Sequence, residues 1–348
     1  MRLTGIDCQI PSCIISNNDI LELIKYHSNK CYQGSLDDLE TIVKRFLKLT
    51  GIETRFWRED NEKPAKLIEQ AAYRALRMAG IERDEIDLLI YSGVDRGFIE
   101  PANASHMCKV LGLKNPRCFD ISDACMGWGT AIQIAEALML SNNSLKKSMV
   151  INAEFPLDKN GAVLPENFRI SNNDELKYKL ASYTLGEAVS VSVFEKEDNS
   201  SLKFEMAEYP EYAHLCVIPL INHNKYCDEP QTALNKELTF YADMAGMREY
   251  GFELSIQVLK KLLSRLDYTP KYILPHSVSD KLIVEALPEI SPDIEIISTF
   301  STLGNIATAS VPSSIVNGML NKKLNKGDRF VAWIASAGMK FAAFEIQL

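Results

Sequence analysis

Apolar positions along the chain follow two alternating rhythms. After Pro64, residues 65–79 carry small and apolar side chains at helical spacing and stop at Gly80, whereas 87–92 reads as a buried strand. A helix follows Pro101 and ends near Gly112, a strand includes 117–121, and the next helix runs from about Gly129 to Leu140 before the polar stretch 141–144. The second half repeats this grammar. It predicts a helix over 245–266, short strands at 272–274 and 294–297, a helix over 309–320, and closing strands at 329–335 and 340–346 around Gly338. Helices and short β-branched or aromatic runs in alternation imply an α/β protein whose sheets are covered by helices on both sides.

Two stretches lack a sustained period. Residues 155–180, with Asn160, Gly161, Pro165 and the polar run 171–174, are expected to pass over the surface, where such excursions often cap binding sites. Residues 209–231 are similarly irregular and read as a second insertion.

Charge narrows the partners. With 38 Lys and Arg against 46 Asp and Glu the formal net charge is -8, so a nucleic acid meets no general attraction. No apolar run approaches membrane-spanning length and no cationic segment leads into an apolar region at the N-terminus, which predicts a soluble, cytoplasmic protein with no membrane partner. The eight cysteines then belong to a reducing compartment, form no Cys-x-x-Cys pair and share no zinc-like spacing with histidine, so no metal site is expected.

One of these thiols stands apart. Cys125 lies in Asp120-Ile121-Ser122-Asp123-Ala124-Cys125-Met126-Gly127-Trp128-Gly129, between a strand and an apolar helix. A helix start offers amide donors and a dipole that favour a thiolate, although a structural cysteine beside glycines would look the same. His276 ends the strand at 272–274, the end at which open α/β sheets hold ligands, but could equally be a surface or capping histidine. Asn305, after Gly304, could donate its amide to a developing oxyanion or simply cap the following helix. Gly338 could aim the amide of Ala337 or a neighbour toward Cys125, or serve only as a hairpin glycine.

Taken together and in order, these motifs resemble the ketoacyl-acyl-carrier-protein synthase III family of thiolase-fold condensing enzymes over essentially the whole chain. Asp120 to Gly129 is similar to the family's Asp-x-x-x-Ala-Cys-x-Gly nucleophile turn, Pro275-His276 to the start of its His-Gln-Ala-Asn motif, and Gly304 to Ser310 to its Gly-Asn-Thr-x-x-Ala-Ser motif. Gly51-Ile52-Glu53-Thr54-Arg55, Met244-Ala245-Gly246 and the turn Ser336 to Met339 resemble further signatures in the same order.

The resemblance implies a thiolase fold with duplicated five-stranded halves, 1–195 carrying the nucleophile and 196–348 carrying His and Asn, in an αβαβα arrangement. It implies Cys125, His276 and Asn305 as catalytic residues and the amides of Cys125 and Ala337 as an oxyanion hole. It further implies a homodimer in which Phe98, Glu100 and Pro101 wall the partner's acyl pocket. CoA or phosphopantetheine thioesters and acyl carrier protein would be substrates, with no permanently bound cofactor.

The implied reaction is acylation of Cys125, followed by decarboxylative condensation with a malonyl or related β-ketoacyl thioester. Transfer of the acyl group to an alcohol or amine, and a silent partner of a related synthase, are the alternatives. The chain also departs from the pattern. The family's His-Gln-Ala-Asn is here His276-Ser277-Val278-Ser279, its Gly-Asp-Gly-Ala is Leu185-Gly186-Glu187-Ala188, Ser336 and Ala337 replace glycines, and Glu100 replaces an apolar residue. Those departures point to a specialised biosynthetic member.

Overall fold

The repeated rhythm resolves into two five-stranded sheets, seen in a computed structural model that describes every residue except 159–160, 164, 198–201, 227–237 and 292. The first sheet holds β1 (Arg2–Gln9), β2 (Leu88–Ser92), β3 (Arg117–Ile121), β4 (Lys147–Glu154) and β5 (Ala188–Glu195). The second holds β6 (Phe204–Glu208), β7 (Tyr272–Pro275), β8 (Glu295–Ile296), β9 (Arg329–Ser336) and β10 (Lys340–Gln347). From one edge the orders are β3-β2-β4-β5-β1 and β8-β7-β9-β10-β6. In both, the first three strands are mutually parallel and the next two pairings are antiparallel. Identical order and identical directions make the second sheet a structural repeat of the first.

Alternation within one strand shows how the layers form. Leu88 and Ile90 of β2 enter the core between the sheets, while Leu89 and Tyr91 face the opposite way into an outer core. The helices fall into three layers around this arrangement. The sequence passes through α1 (Asn17–Ser28), α2 (Leu36–Thr50), α3 (Pro64–Ala79), α4 (Asn103–Leu111) and α5 (Gly127–Ser141) in the first half. It continues with α6 (Met244–Leu263), α7 (Asp280–Ile290) and α8 (Ser310–Leu320). Trp128, Ala131, Ile132 and Ala135 of α5 share the central core with Val311 and Ile315 of α8 and with side chains from both sheets. Residues of α3 and α4 cover the outer face of the first sheet, and residues of α6 and α7 cover that of the second. The result is an αβαβα stack with α5 and α8 in the middle.

The first sixty residues form β1 and a helical cap. A capping box of Ser16 and Asp19 opens α1, and α2 closes on Gly51 in the left-handed conformation. Their apolar faces pack on the segment expected to run over the surface at 155–180, and that expectation is corrected. Val163, Phe168, Ile170 and Leu176 are buried against α1 and α2, and the segment forms short helices at Pro165–Phe168 and Asn173–Lys179. Its polarity is satisfied internally: the buried Lys179 Nζ donates to the carbonyls of Glu166 at 2.8 Å and Arg169 at 2.7 Å and to Glu175 Oε1 at 2.6 Å. A polar composition reads as exposure here only because the partners lie within the same segment.

Candidate active site

The chain reaches Cys125 through a turn anchored on β3. Asp120 accepts hydrogen bonds from the backbone N–H groups of Asn103 and Ala104, at 2.8 Å each, which ties the start of α4 to the strand. Ala124 then takes φ 43°, a left-handed value that a residue with a Cβ adopts only under constraint. This bends the chain into the single 3-10 turn Ala124–Met126 and on into α5. Gly127 follows because a Cβ there would collide with Ser92 Oγ, so only glycine lets the helix start this close to β2.

Cys125 is half-buried with a free thiol. Its position at a helix start is expected to favour the thiolate, and here the balance goes the other way. Burial pushes the thiol well above its ordinary range, Cys216 and Glu154 act in the same direction, and only the local backbone hydrogen bond opposes them. At rest Cys125 is therefore a neutral thiol.

His276 leaves the C-terminal end of β7, with its N–H bonded to the Trp333 carbonyl at 2.8 Å. Asn305 is held from both sides by the segment that departs from the Gly-Asp-Gly-Ala pattern. Its N–H donates to the Thr184 carbonyl at 2.8 Å and its carbonyl accepts from Gly186 N–H at 3.0 Å. Gly304 makes this approach possible, since its φ is 72° and a Cβ would strike the Thr184 carbonyl.

The two side chains meet inside the protein. His276 Nε2 lies 3.2 Å from Asn305 Oδ1, and the same oxygen accepts from Ala307 N–H at 3.0 Å. The Ala307 donor fixes which end of the amide is oxygen, and an oxygen facing Nε2 requires that nitrogen to carry the proton. His276 is thus an Nε2–H donor. Burial lowers its pKa to about 4, against hydrogen bonds to Asn305 and Ala335 that raise it, so the ring is neutral at physiological pH.

Cys125, His276, Asn305 and Ala337 all line one cavity of about 380 Å³. Most of its wall is apolar and comes from Val217, Ile218, Phe240, Met247, Phe252, Ile306 and Phe341. Part of the irregular 209–231 segment supplies this wall through the two-residue strand Cys216–Val217, which pairs with Tyr241–Ala242; residues 227–231 lie outside the described residues. Phe98, Glu100 and Pro101 do not line the cavity of their own chain. They are exposed, and Phe98 stacks on His106 with ring centroids 4.0 Å apart.

No local motif points to the acids behind the thiol. Glu154 at the end of β4 is buried in the cavity wall, where it accepts from Val94 N–H at 3.2 Å, from Thr308 N–H at 3.3 Å and from the Thr308 hydroxyl. Burial first, then Asp95, pushes it up to about 8. Asp95 and Glu187 are raised to about 6 and about 7, again mainly by burial. A second thiol, Cys216, also lines the cavity. Among the described residues no group of three metal-ligating side chains converges, and no helix is long and apolar enough to cross a membrane.

Duplicated sheets around two central helices, with a cysteine at the start of one and an asparagine before the other, define the thiolase fold. The comparisons agree. No family profile matches the chain. The β-ketoacyl-[acyl-carrier-protein] synthase III of Clostridium beijerinckii is 24% identical, covering 99% of this chain and 98% of that protein; that of Sulfurovum is 25% identical, covering 97% and 93%. Among solved structures, 3-oxoacyl-[acyl-carrier-protein] synthase III of Aquifex aeolicus superposes with a TM-score of 0.78 at 18% identity, covering 100% and 99% of the two chains. A cysteine-to-alanine variant of Xanthomonas campestris OleA superposes at 0.81 and 20%, covering 100% and 96%. The chain has the thiolase fold and is similar over its whole length to synthase III proteins.

Proposed function

We propose that this protein forms an acyl thioester on Cys125 and condenses it with a malonyl or related β-ketoacyl thioester to give a β-ketoacyl product. The observation that carries the reading is the contact of His276 Nε2 with Asn305 Oδ1 inside the cavity that Cys125 lines, which assigns His276 the Nε2–H tautomer. A decarboxylating thioester builds negative charge on its carbonyl oxygen, and the group suited to that charge is a donor already carrying a hydrogen.

In the first half-reaction the Cys125 sulfur attacks the carbonyl carbon of the donor thioester, and the amides of Cys125 and Ala337 hold the developing oxyanion. Collapse expels the sulfur of CoA or phosphopantetheine, which takes up the proton given up by the Cys125 thiol and leaves as a thiol, and acyl-Cys125 remains. In the second, the malonyl carboxylate departs as carbon dioxide while His276 Nε2–H and the Asn305 NH₂ stabilise the enolate oxygen. The enolate carbon attacks the acyl-Cys125 carbonyl, and the cysteine sulfur leaves and takes up one proton from solvent to return as the thiol.

The apolar wall suits a fatty acyl chain, and a structural neighbour, a cysteine-to-serine variant of Xanthomonas campestris OleA, has been solved with lauric acid and lauroyl-CoA bound. That supports an acyl-CoA donor, with a carrier protein as partner in the second step. The exposed Phe98, Glu100 and Pro101 are read as the part of a homodimer that walls the partner's pocket. Acyl transfer to an alcohol or amine needs a lone pair on the ring nitrogen facing the acceptor, which His276 Nε2–H does not offer.

Rapid-quench mass analysis with candidate acyl-CoAs and malonyl carrier protein tests the reading. Asn305→Ala should acylate at a near-normal rate and condense roughly 100-fold more slowly, the cost of one oxyanion donor. Normal condensation by that variant removes the proposed role of Asn305. Ester or amide products without carbon dioxide release would replace the whole reading by acyl transfer.

A further inference from the structure

The two amides assigned to the oxyanion hole come from opposite halves of the protein. Cys125 belongs to the turn before α5, whereas Ala337 belongs to the hairpin that joins β9 to β10. Their separation is not set by any one element, so something must fix it.

The residues bracketing each amide are bonded to those bracketing the other. Asp123 and Met126 enclose Ala124 and Cys125; Ser336 and Lys340 form the last cross-strand pair of β9 and β10 and enclose the turn that carries Ala337. Met126 N–H donates to Ser336 Oγ at 3.1 Å, and Ser336 Oγ lies 3.5 Å from the Asp123 carbonyl. Lys340 Nζ donates to Asp123 Oδ1 at 2.7 Å, while Asp123 Oδ2 accepts from Thr130 Oγ1 of α5 at 2.5 Å. Both carboxylate oxygens of Asp123 are thereby engaged, one on each side of the junction. Lys340 reaches one further acid, Glu208, at 3.5 Å.

We propose that Ser336, Asp123 and Lys340 are positioning residues that clamp the Cys125 turn to the Ala337 hairpin and so set the spacing of the oxyanion hole. The inference rests on the oxyanion roles assigned above to the two amides. It accounts for a serine where the family's terminal loop carries glycine: a buried hydroxyl at 336 engages Met126 N–H, which a glycine could not do. Neither Ser336 nor Lys340 touches the reacting atoms in this scheme. They act through the amide geometry, and a hole loosened by a fraction of an ångström loses transition-state stabilisation without losing the thiol.

The test compares two reagents on the full chain. p-Nitrophenyl butyrate acylates a cysteine through a tetrahedral oxyanion but requires neither a carrier nor a condensing partner. Iodoacetamide alkylates the same sulfur by displacement at a saturated carbon and uses no oxyanion hole. Ser336→Ala and Lys340→Met should acylate Cys125 about tenfold more slowly, with alkylation changed by less than about twofold, and Lys340→Arg should recover most of the acylation rate. Intact mass after each reaction counts the adducts and peptide mapping locates them on Cys125, and a thermal melt excludes variants that do not fold; Asp123→Asn, which keeps the size of the side chain, then serves as the second probe of the clamp. Equal losses with both reagents, or no loss with either, overturn the proposal. A parent protein that alkylates but is not acylated by the ester overturns it as well, by removing the hole. Failure with malonyl carrier protein alone, the ester selectivity persisting, would instead count against condensation and leave the clamp standing.

Discussion

The turn that carries Cys125 and its counterpart in the second half are built alike and used differently. Each contains an alanine forced to positive φ, Ala124 at 43° and Ala307 at 41°, and each leads through one 3-10 turn into a central helix. Each is also tied to the end of a strand in the opposite sheet: Met126 to Ser336 on β9, and Thr308 to Glu154 on β4. In the first, the residue after the strained alanine is Cys125, half-buried in the cavity wall. In the second it is Thr308, buried with its hydroxyl on Glu154. A duplicated scaffold offers two places where a side chain can stand at the start of a buried helix. One holds the proposed nucleophile, while the other fastens the halves together and leaves Asn305, two residues before its strained alanine, to face the cavity.

The sharpest way to break this comparison is to remove the residue at the second place of each turn. Cys125→Ala should show no acyl adduct by intact mass with any donor that modifies the parent, because no other residue shares its position. Full acylation of that variant elsewhere, for instance at Cys216, would falsify the nucleophile assignment. Thr308→Val should keep the acyl adduct and lose stability instead, by about 1–3 kcal/mol in a denaturant melt, the usual result of depriving a buried polar group of its partner. A Thr308→Val protein of normal stability that no longer acylates would mean the two turns are not divided between chemistry and fastening.

How much of this is legible in the chain depends on whether the signal is local. Cys125, Gly304 and Asn305 sit in short runs where the turn itself demands particular residues, and the strands on both sides of the central layer show themselves as apolar runs. Strand β1 carries no such mark, because it pairs with β5 nearly two hundred residues away and no local period records that partner. The segment 155–180 misleads for a related reason, since its polar groups bond to one another while its apolar ones meet α1 and α2. Nothing local marks Glu154 as an acid in the cavity wall, because its donors come from Val94 and Thr308. Cys216 reaches the cavity through a two-residue pairing with Tyr241–Ala242 that no sequence pattern advertises. The helix start alone argues for a Cys125 thiolate; burial, a sum over distant parts of the chain, reverses it.

The smallest effect concerns the fastening carboxyl, and its sign can be worked out. Glu154 has a pKa of about 8 in the folded protein, raised from 4.5 first by burial and then by Asp95, against hydrogen bonds from Thr308 and Val94 that lower it. The folded state therefore keeps a proton that the unfolded chain releases above about pH 4.5. Its contribution to stability is fully present below that pH, declines as pH rises, and is lost once pH passes about 8. Glu154→Gln keeps an oxygen for Thr308 and Val94 and cannot ionise. Relative to the parent it should gain stability steadily from pH 4.5 to 8 in denaturant melts taken at several pH values. The variant's own pH slope should be flatter than the parent's rather than absent, because Asp95 and Glu187, raised to about 6 and about 7, act in the same sense. His276 opposes them at the acid end: lowered from 6.5 to about 4, it remains neutral in the fold while the unfolded ring protonates, so stability falls as pH drops through that interval. A Glu154→Gln curve parallel to the parent's over the whole range would show that this carboxyl is ionised in the fold. Thr308 would then be fastened to a charge rather than to a neutral acid.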